Sequence, residues 1–167
     1  MAEVLLCTRD DIMTRTALSG SIDTDKITPF IKSAQDIHIQ GLLGTKLLEK
    51  ILTDIDEGDL SSTYENLVTK YVKPVLIHYA VADFISFHAY SIENGGVFKR
   101  NSDTGQVVEK NEVDGLVRKQ RDIADHYRTQ LVRHLALHND LYPEYSEYQD
   151  DGYYPTGKQN GFTGWVL

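Results

Sequence analysis

The chain has 167 residues, 41% of them hydrophobic, and a formal net charge of −8. That length fits one domain with a real core, and the acidic balance argues against a sequence-independent nucleic-acid binder, which needs a basic face. A single cysteine, Cys7, excludes an internal disulfide and so gives no sign of a secreted disulfide scaffold.

No apolar run approaches the roughly 20 residues of a membrane span. The opening MAEVLLCTRDD lacks the basic flank and cleavage pattern of a signal peptide, so neither a membrane nor a secretory role is expected. Residues 3–7 can form a short strand or an extended arm. Thr8 followed by Asp11 predicts a helix start, cut short by Ser19, Gly20 and Ser21. Asp23 or Asp25 can cap the next helix, with Pro29 tolerated in its first turn. Ile27, Phe30, Ile31, Ala34 and Ile37 recur there at helical steps and form one apolar face, until Gly41 and Gly44 interrupt.

A helix from about Thr45 places Leu47, Leu48, Ile51, Leu52 and Ile55 on its buried side and stops at the acidic turn from Asp56 to Asp59. Ser62 and Glu65 have capping-box spacing and open a helix carrying Leu67, Tyr71 and Val72. Pro74 then predicts a kink or restart, followed by a helix to about Tyr90. Val75, Leu76, Ile77, Tyr79, Ala80, Val81, Phe84 and Phe87 make that helix apolar on most sides, which marks it as the centre of the core.

The stretch 92–110 reads as an inserted β-hairpin. Val97-Phe98-Lys99 and Gln106-Val107-Val108 flank the turn Ser102-Asp103-Thr104-Gly105, and a lone hairpin must lean on something, so Val97 and Phe98 are candidate partner contacts. Asn111 can cap a long last helix to about His138, with Val113, Leu116, Val117, Ile123, Ala124, Leu131, Leu135 and Leu137 in helical period. Its other side holds Arg118, Lys119, Arg121, Arg128 and Arg133, either a solvated face or a surface for an acidic neighbour.

Signals for catalysis are weak. His134 and His138 stand four apart, as metal ligands can, but no HExxH motif surrounds them and, beyond Asp140, no Cys or close carboxylate pattern completes a site. His78 and His88 read as core histidines. Asp83, the one acid in the middle of the apolar helix, calls for a basic partner from another helix. There is no phosphate-cradling glycine loop and no nucleophile elbow. No catalytic residue, metal or cofactor is assigned.

From Asn139 to Leu167 the composition changes to Tyr, Asp, Gly, Pro and Asn without any period, and this is read as an extended arm beyond a helical bundle at 1–138. Tyr153 and Tyr154, with the terminal Phe162, Trp165, Val166 and Leu167, carry large apolar areas that gain about 1.5–3 kcal/mol each when buried. They are therefore expected to dock on the same subunit or on a neighbour.

The stretches DTDKITPFIKSAQDIHIQGLLGTKLLEKI and YENLVTKYVKPVLIHYAVADFI, then a hairpin and a long final helix, resemble head-to-tail connector (adaptor) proteins of tailed bacteriophages, such as ring proteins of crAss-like and related Bacteroides phages. The likeness covers roughly residues 8–145 and rests most on IQGLLGTKLLEK and YVKPVL. It implies a mainly α bundle, a homo-oligomeric and commonly dodecameric ring beneath the portal, and a terminal arm that clasps the portal or an adjacent tail or ring protein. It also implies a virion location after assembly in the bacterial host cytoplasm, passage of DNA without specific binding, and no enzymatic activity. Two other readings stand beside it: a small metal-binding protein or enzyme using His134 and His138, and a host-interaction protein whose tail folds on binding.

Overall fold

A computed structural model describes residues 4–18, 22–88, 90–93, 96–99, 110–146 and Pro155. The described residues are mainly helical. None of their helices is long and apolar enough to cross a membrane.

Residues 4–8 form no helix or strand and lead into α1 (Arg9–Arg15). Thr8 caps α1 through a full capping box with Asp11, as the spacing predicts. Ahead of it the backbone is tied down by a distant side chain. Gln35 is buried, accepts from the Leu6 amide at 2.9 Å and donates to the Val4 carbonyl at 3.2 Å. A buried amide that satisfies two backbone groups at once fixes this arm on the core.

Helix α2 (Thr24–Ala34) does not end where it meets Gln35. It widens into a π turn at Gln35–Ile39 and continues as α3 (Gln40–Leu43). Gly41 is taken into the helix. The break falls at Gly44, whose φ of 78° and ψ of 158° suit glycine alone, and α4 (Thr45–Glu57) starts directly after it. Helix α4 stops at Gly58 in the left-handed conformation, which returns backbone bonds to Asp54 and Ile55.

The expected capping box at Ser62 and Glu65 is shifted. Ser61 is the N-cap of α5 (Ser62–Leu67), and no side chain closes the cap. Helix α5 runs through a second π turn, Val68–Val72, into α6 (Lys73–His88). Pro74 accounts for that turn physically. It has no amide for the carbonyl of Lys70, and its ring crowds that position, so a wider turn relieves both faults without ending the helix.

Helix α6 is the axis of the fold: every residue from Pro74 to Ala82 is buried, as is Phe84. It packs most extensively on α7 (Lys110–Leu137), with α2 on another side. The buried faces of α2, α4 and α7 supply Ile27, Ile31, Leu47, Leu48, Ile51, Ala124, Leu131 and Leu135. Four residues assigned to buried faces from periodicity instead face out: Ile37, Phe87, Leu116 and Leu137 are 67%, 60%, 54% and 66% exposed. Each sits on the edge of its apolar stripe; Phe87 still meets Phe30 of α2, with ring centroids 5.6 Å apart.

Strands β1 (Tyr90–Glu93) and β2 (Gly96–Lys99) pair antiparallel, with Ser91 opposite Phe98 and Ile92 opposite Val97. The pairing expected of Val97-Phe98-Lys99 is with a different, later strand. In the structure that stretch pairs with the preceding strand, while the turn 102–105 and residues 106–108 lie outside the described residues.

The arm does not begin at Asn139. Residues Asn139–Leu141 form a 3₁₀ turn, and Pro143–Ser146 form the short helix α8. Tyr142 and Tyr145 are 2% and 1% exposed and belong to the core. Polar composition hid this, since two aromatic anchors suffice to fix a short segment that has no period of its own.

Candidate interaction surfaces

Two clusters of aromatic and titratable side chains stand out, one between α2–α3 and the α6–α7 pair, the other where α8 meets α5 and α7.

The first is an open cleft of about 340 Å³ lined by Ile37, His38, Gly41, Leu42, Tyr79 and Arg128. The π turn brings His38 flat against Tyr79, with centroids 3.8 Å apart and an interplanar angle of 9°. From the other side the Tyr79 hydroxyl donates to Asp125 Oδ1 at 2.6 Å. Burial, then the bond to Asp125, pushes the Tyr79 phenol up to about 12. Burial also holds His38 below the ordinary imidazole range, against the opposing pull of Asp83. Arg128 stands 3.9 Å from Asp125, and Arg121 Nη2 lies 3.5 Å from Asp83 Oδ1. Asp83 thus has the interhelical basic partner that its place on an apolar helix requires.

Burial thus favours the neutral His38 ring, and the Tyr79 phenol stays a proton donor to Asp125. The cleft offers a flat, partly apolar floor, the exposed Ile37 on one wall and a guanidinium at the mouth.

The basic side of α7 is in fact mixed. Arg118, Lys119, Arg121, Arg128 and Arg133 are all exposed, but Asp114, Asp122 and Asp125 are interleaved with them. Arg121 and Arg128 are already engaged with acids, which favours the solvated-face reading for those two.

The second cluster explains the paired histidines. His134 stacks on Tyr71 at 4.1 Å and 14° and shares a hydrogen bond of 3.1 Å with the Tyr142 hydroxyl through Nε2. His138 lies 4.8 Å from His134, ring to ring. Nearby, Tyr64 donates to Glu144 at 2.7 Å, and Lys50 bonds to the buried Asp54 at 2.6 Å. Among the described residues no group of three or more His, Cys, Asp or Glu side chains is arranged to hold a metal ion.

His78, the other core histidine, bonds through Nδ1 to Gln120 Oε1 at 2.7 Å. Val97 and Phe98 are placed in β2. Tyr153, Tyr154, Phe162, Trp165, Val166 and Leu167 lie outside the described residues. Sequence reasoning missed the contacts Tyr79–Asp125, His38–Tyr79 and Gln35 to the N-terminal arm. Only a polar group within a very apolar run, as at Tyr79, could have hinted at the first of them.

The model of one family, described as "Family of unknown function (DUF6712)", matches residues 39–153. That span is well over half of the chain. The chain belongs to the DUF6712 family. The DUF6712 match starts at the end of the first π turn and takes in α3 to α8 with the hairpin, so it contains the second cluster whole and all of the first except Ile37 and His38. No curated protein and no solved structure matches the chain.

Proposed function

We propose that this DUF6712 protein is a structural virion component, a ring-forming head-to-tail adaptor that joins the portal of a tailed phage to its tail. The observation that carries this reading is the burial of Tyr142 and Tyr145 directly after α7, ahead of a sequence rich in tyrosine and acid. A rigid body with a firmly rooted partner-binding segment is the construction an assembly protein uses, because each arm acts at high effective concentration once its neighbours have engaged.

In this reading the bundle forms the subunit body of a homo-oligomeric, commonly dodecameric ring. The hairpin containing Val97 and Phe98 reaches a ring neighbour or a tail protein. Residues Phe162, Trp165, Val166 and Leu167 anchor the arm on the portal or an adjacent ring. The net charge of −8 suits a channel lining past which DNA slides, since like charge prevents sticking. The resemblance of IQGLLGTKLLEK and YVKPVL to adaptor sequences supports the same assignment; the first stretch forms α3 and the start of α4, the second the end of the second π turn and the start of α6.

Quantitative mass spectrometry of purified virions tests the proposal. The chain is expected in the particle at a copy number close to that of the portal protein. Its absence from particles that contain portal and tail would overturn the assignment.

A further inference from the structure

Two polar contacts tie the segment Asn139–Ser146 to the bundle: the Tyr142 hydroxyl meets His134 of α7 at 3.1 Å, and Glu144 accepts from Tyr64 of α5 at 2.7 Å. We infer that His134 and Tyr142 form an acid-sensitive latch, which holds the root of the C-terminal segment at neutral pH and releases it when His134 takes up a proton.

The geometry carries the inference. The half-buried His134 ring is in contact with Tyr71 of the second π turn, with Tyr142 of the latch and with His138 on its own helix. On the far side of Tyr142, Tyr64 of α5 meets its ring edge-on at 5.6 Å. Of the two carboxylates on the latch, Glu144 accepts from the Tyr64 hydroxyl and Asp140 is exposed, and Lys50 of α4 lies over the Tyr64 ring at 5.7 Å. With Nε2 unprotonated, the buried Tyr142 hydroxyl has an acceptor. With Nε2 protonated, that nitrogen becomes a donor, and the Tyr142 proton must find another acceptor in a pocket lined by rings and by a second imidazole.

Electrostatics points the same way. Burial, and then His138, hold His134 below the ordinary imidazole range. The folded latch therefore favours the neutral ring. Its contribution is complete above the free-imidazole value of 6.5 and is lost as the pH falls through the lower folded value. A cation stacked on Tyr71 gains something from the ring face, which works against burial and the neighbouring histidine. The inference concerns release of the segment and holds whatever the segment binds.

Amide hydrogen exchange on the full chain tests it. Between about pH 7.5 and about pH 5, after correction for intrinsic rates, the amides of residues 141–146 are expected to lose about tenfold or more of their protection while those of α6 keep theirs. His134→Gln retains an acceptor but cannot titrate, and its latch is expected to be insensitive to pH. An unchanged latch in the parent chain contradicts the inference, and so does the same loss in His134→Gln. If that variant does not fold, the imidazole of the parent chain decides by NMR titration. Titration of His134 below the ordinary range supports the latch, and titration above it overturns the idea.

Discussion

The Tyr79 hydroxyl donates to Asp125 Oδ1 at 2.6 Å and ties the central helix α6 to the last helix α7. Tyr79 is buried while Asp125 is largely in solvent, so the bond caps the edge of the core rather than crossing it. The same phenol forms the floor of the cleft, stacked under His38. Helix pairing and the shape of the candidate contact surface thus depend on one side chain.

Tyr79→Phe keeps the ring and removes the bond. It is expected to lower stability by about 1 kcal/mol, the usual net value of such a bond. Urea unfolding checks this through a lower midpoint at unchanged slope. A loss of several kcal/mol would mean that the hydroxyl organises more of the cleft than its single partner indicates.

Two glycines separate backbone strain from packing. Nothing lies within 4 Å of a Cβ built at Gly58 or at Gly115, but Gly58 has a φ of +72°. Gly58→Ala is therefore expected to cost about 1 kcal/mol through conformation alone. Gly115→Ala, inside α7, is expected to stabilise by about 0.5–1 kcal/mol through helix propensity. Thermal unfolding of both variants should move in opposite directions.

Acid should loosen the attachment of α1. Asp11 accepts from Lys73 Nζ at 2.9 Å. Burial raises its carboxyl, but the bonds from Lys73 and Thr8 together hold it below the ordinary value of 3.8. A carboxyl with a depressed folded pKa contributes stability above its free value and loses it as the pH falls through the folded one. Lys73→Met is expected to remove that contribution, so its acid unfolding profile should be flatter than the parent's below about pH 4.

Cys7 is buried, and burial, then Asp11, pushes its thiol up to about 12. Native protein is expected to resist alkylation at neutral pH, because the thiolate is the reactive form. Labelling should follow the opening of the N-terminal arm, and Gln35→Ala, which releases the amide of Leu6, should speed it. Equal labelling of native and unfolded chain would contradict this placement.

Helices were legible wherever local chemistry decides them. Thr8 and Asp11 sit in adjacent turns and need no partner to cap α1, and the apolar run around Ile77 can only be central. Features settled by neighbours were not legible. Periodicity puts Ile37, Phe87, Leu116 and Leu137 on the edges of apolar stripes, and only the position of the adjacent helices decides that they stay exposed. The π turns arise from packing and, at Val68–Val72, from a proline six residues beyond the turn's start, so a strict 3.6 period misses them. Tyr142 and Tyr145 read as tail residues because nothing in NDLYPEYS repeats, yet their rings complete the core. The spacing of His134 and His138 gives no sign of the contacts that His134 makes with Tyr71 and Tyr142, which come from other elements.

The most direct test of the adaptor assignment is affinity capture from lysate of phage-producing cells, with the full chain and with a version ending at Asn160, read by mass spectrometry. Both baits should first give the same helical circular dichroism. The account predicts that portal and tail proteins come down with the full chain and disappear with the shortened one. Capture of no virion protein by either folded bait would contradict it.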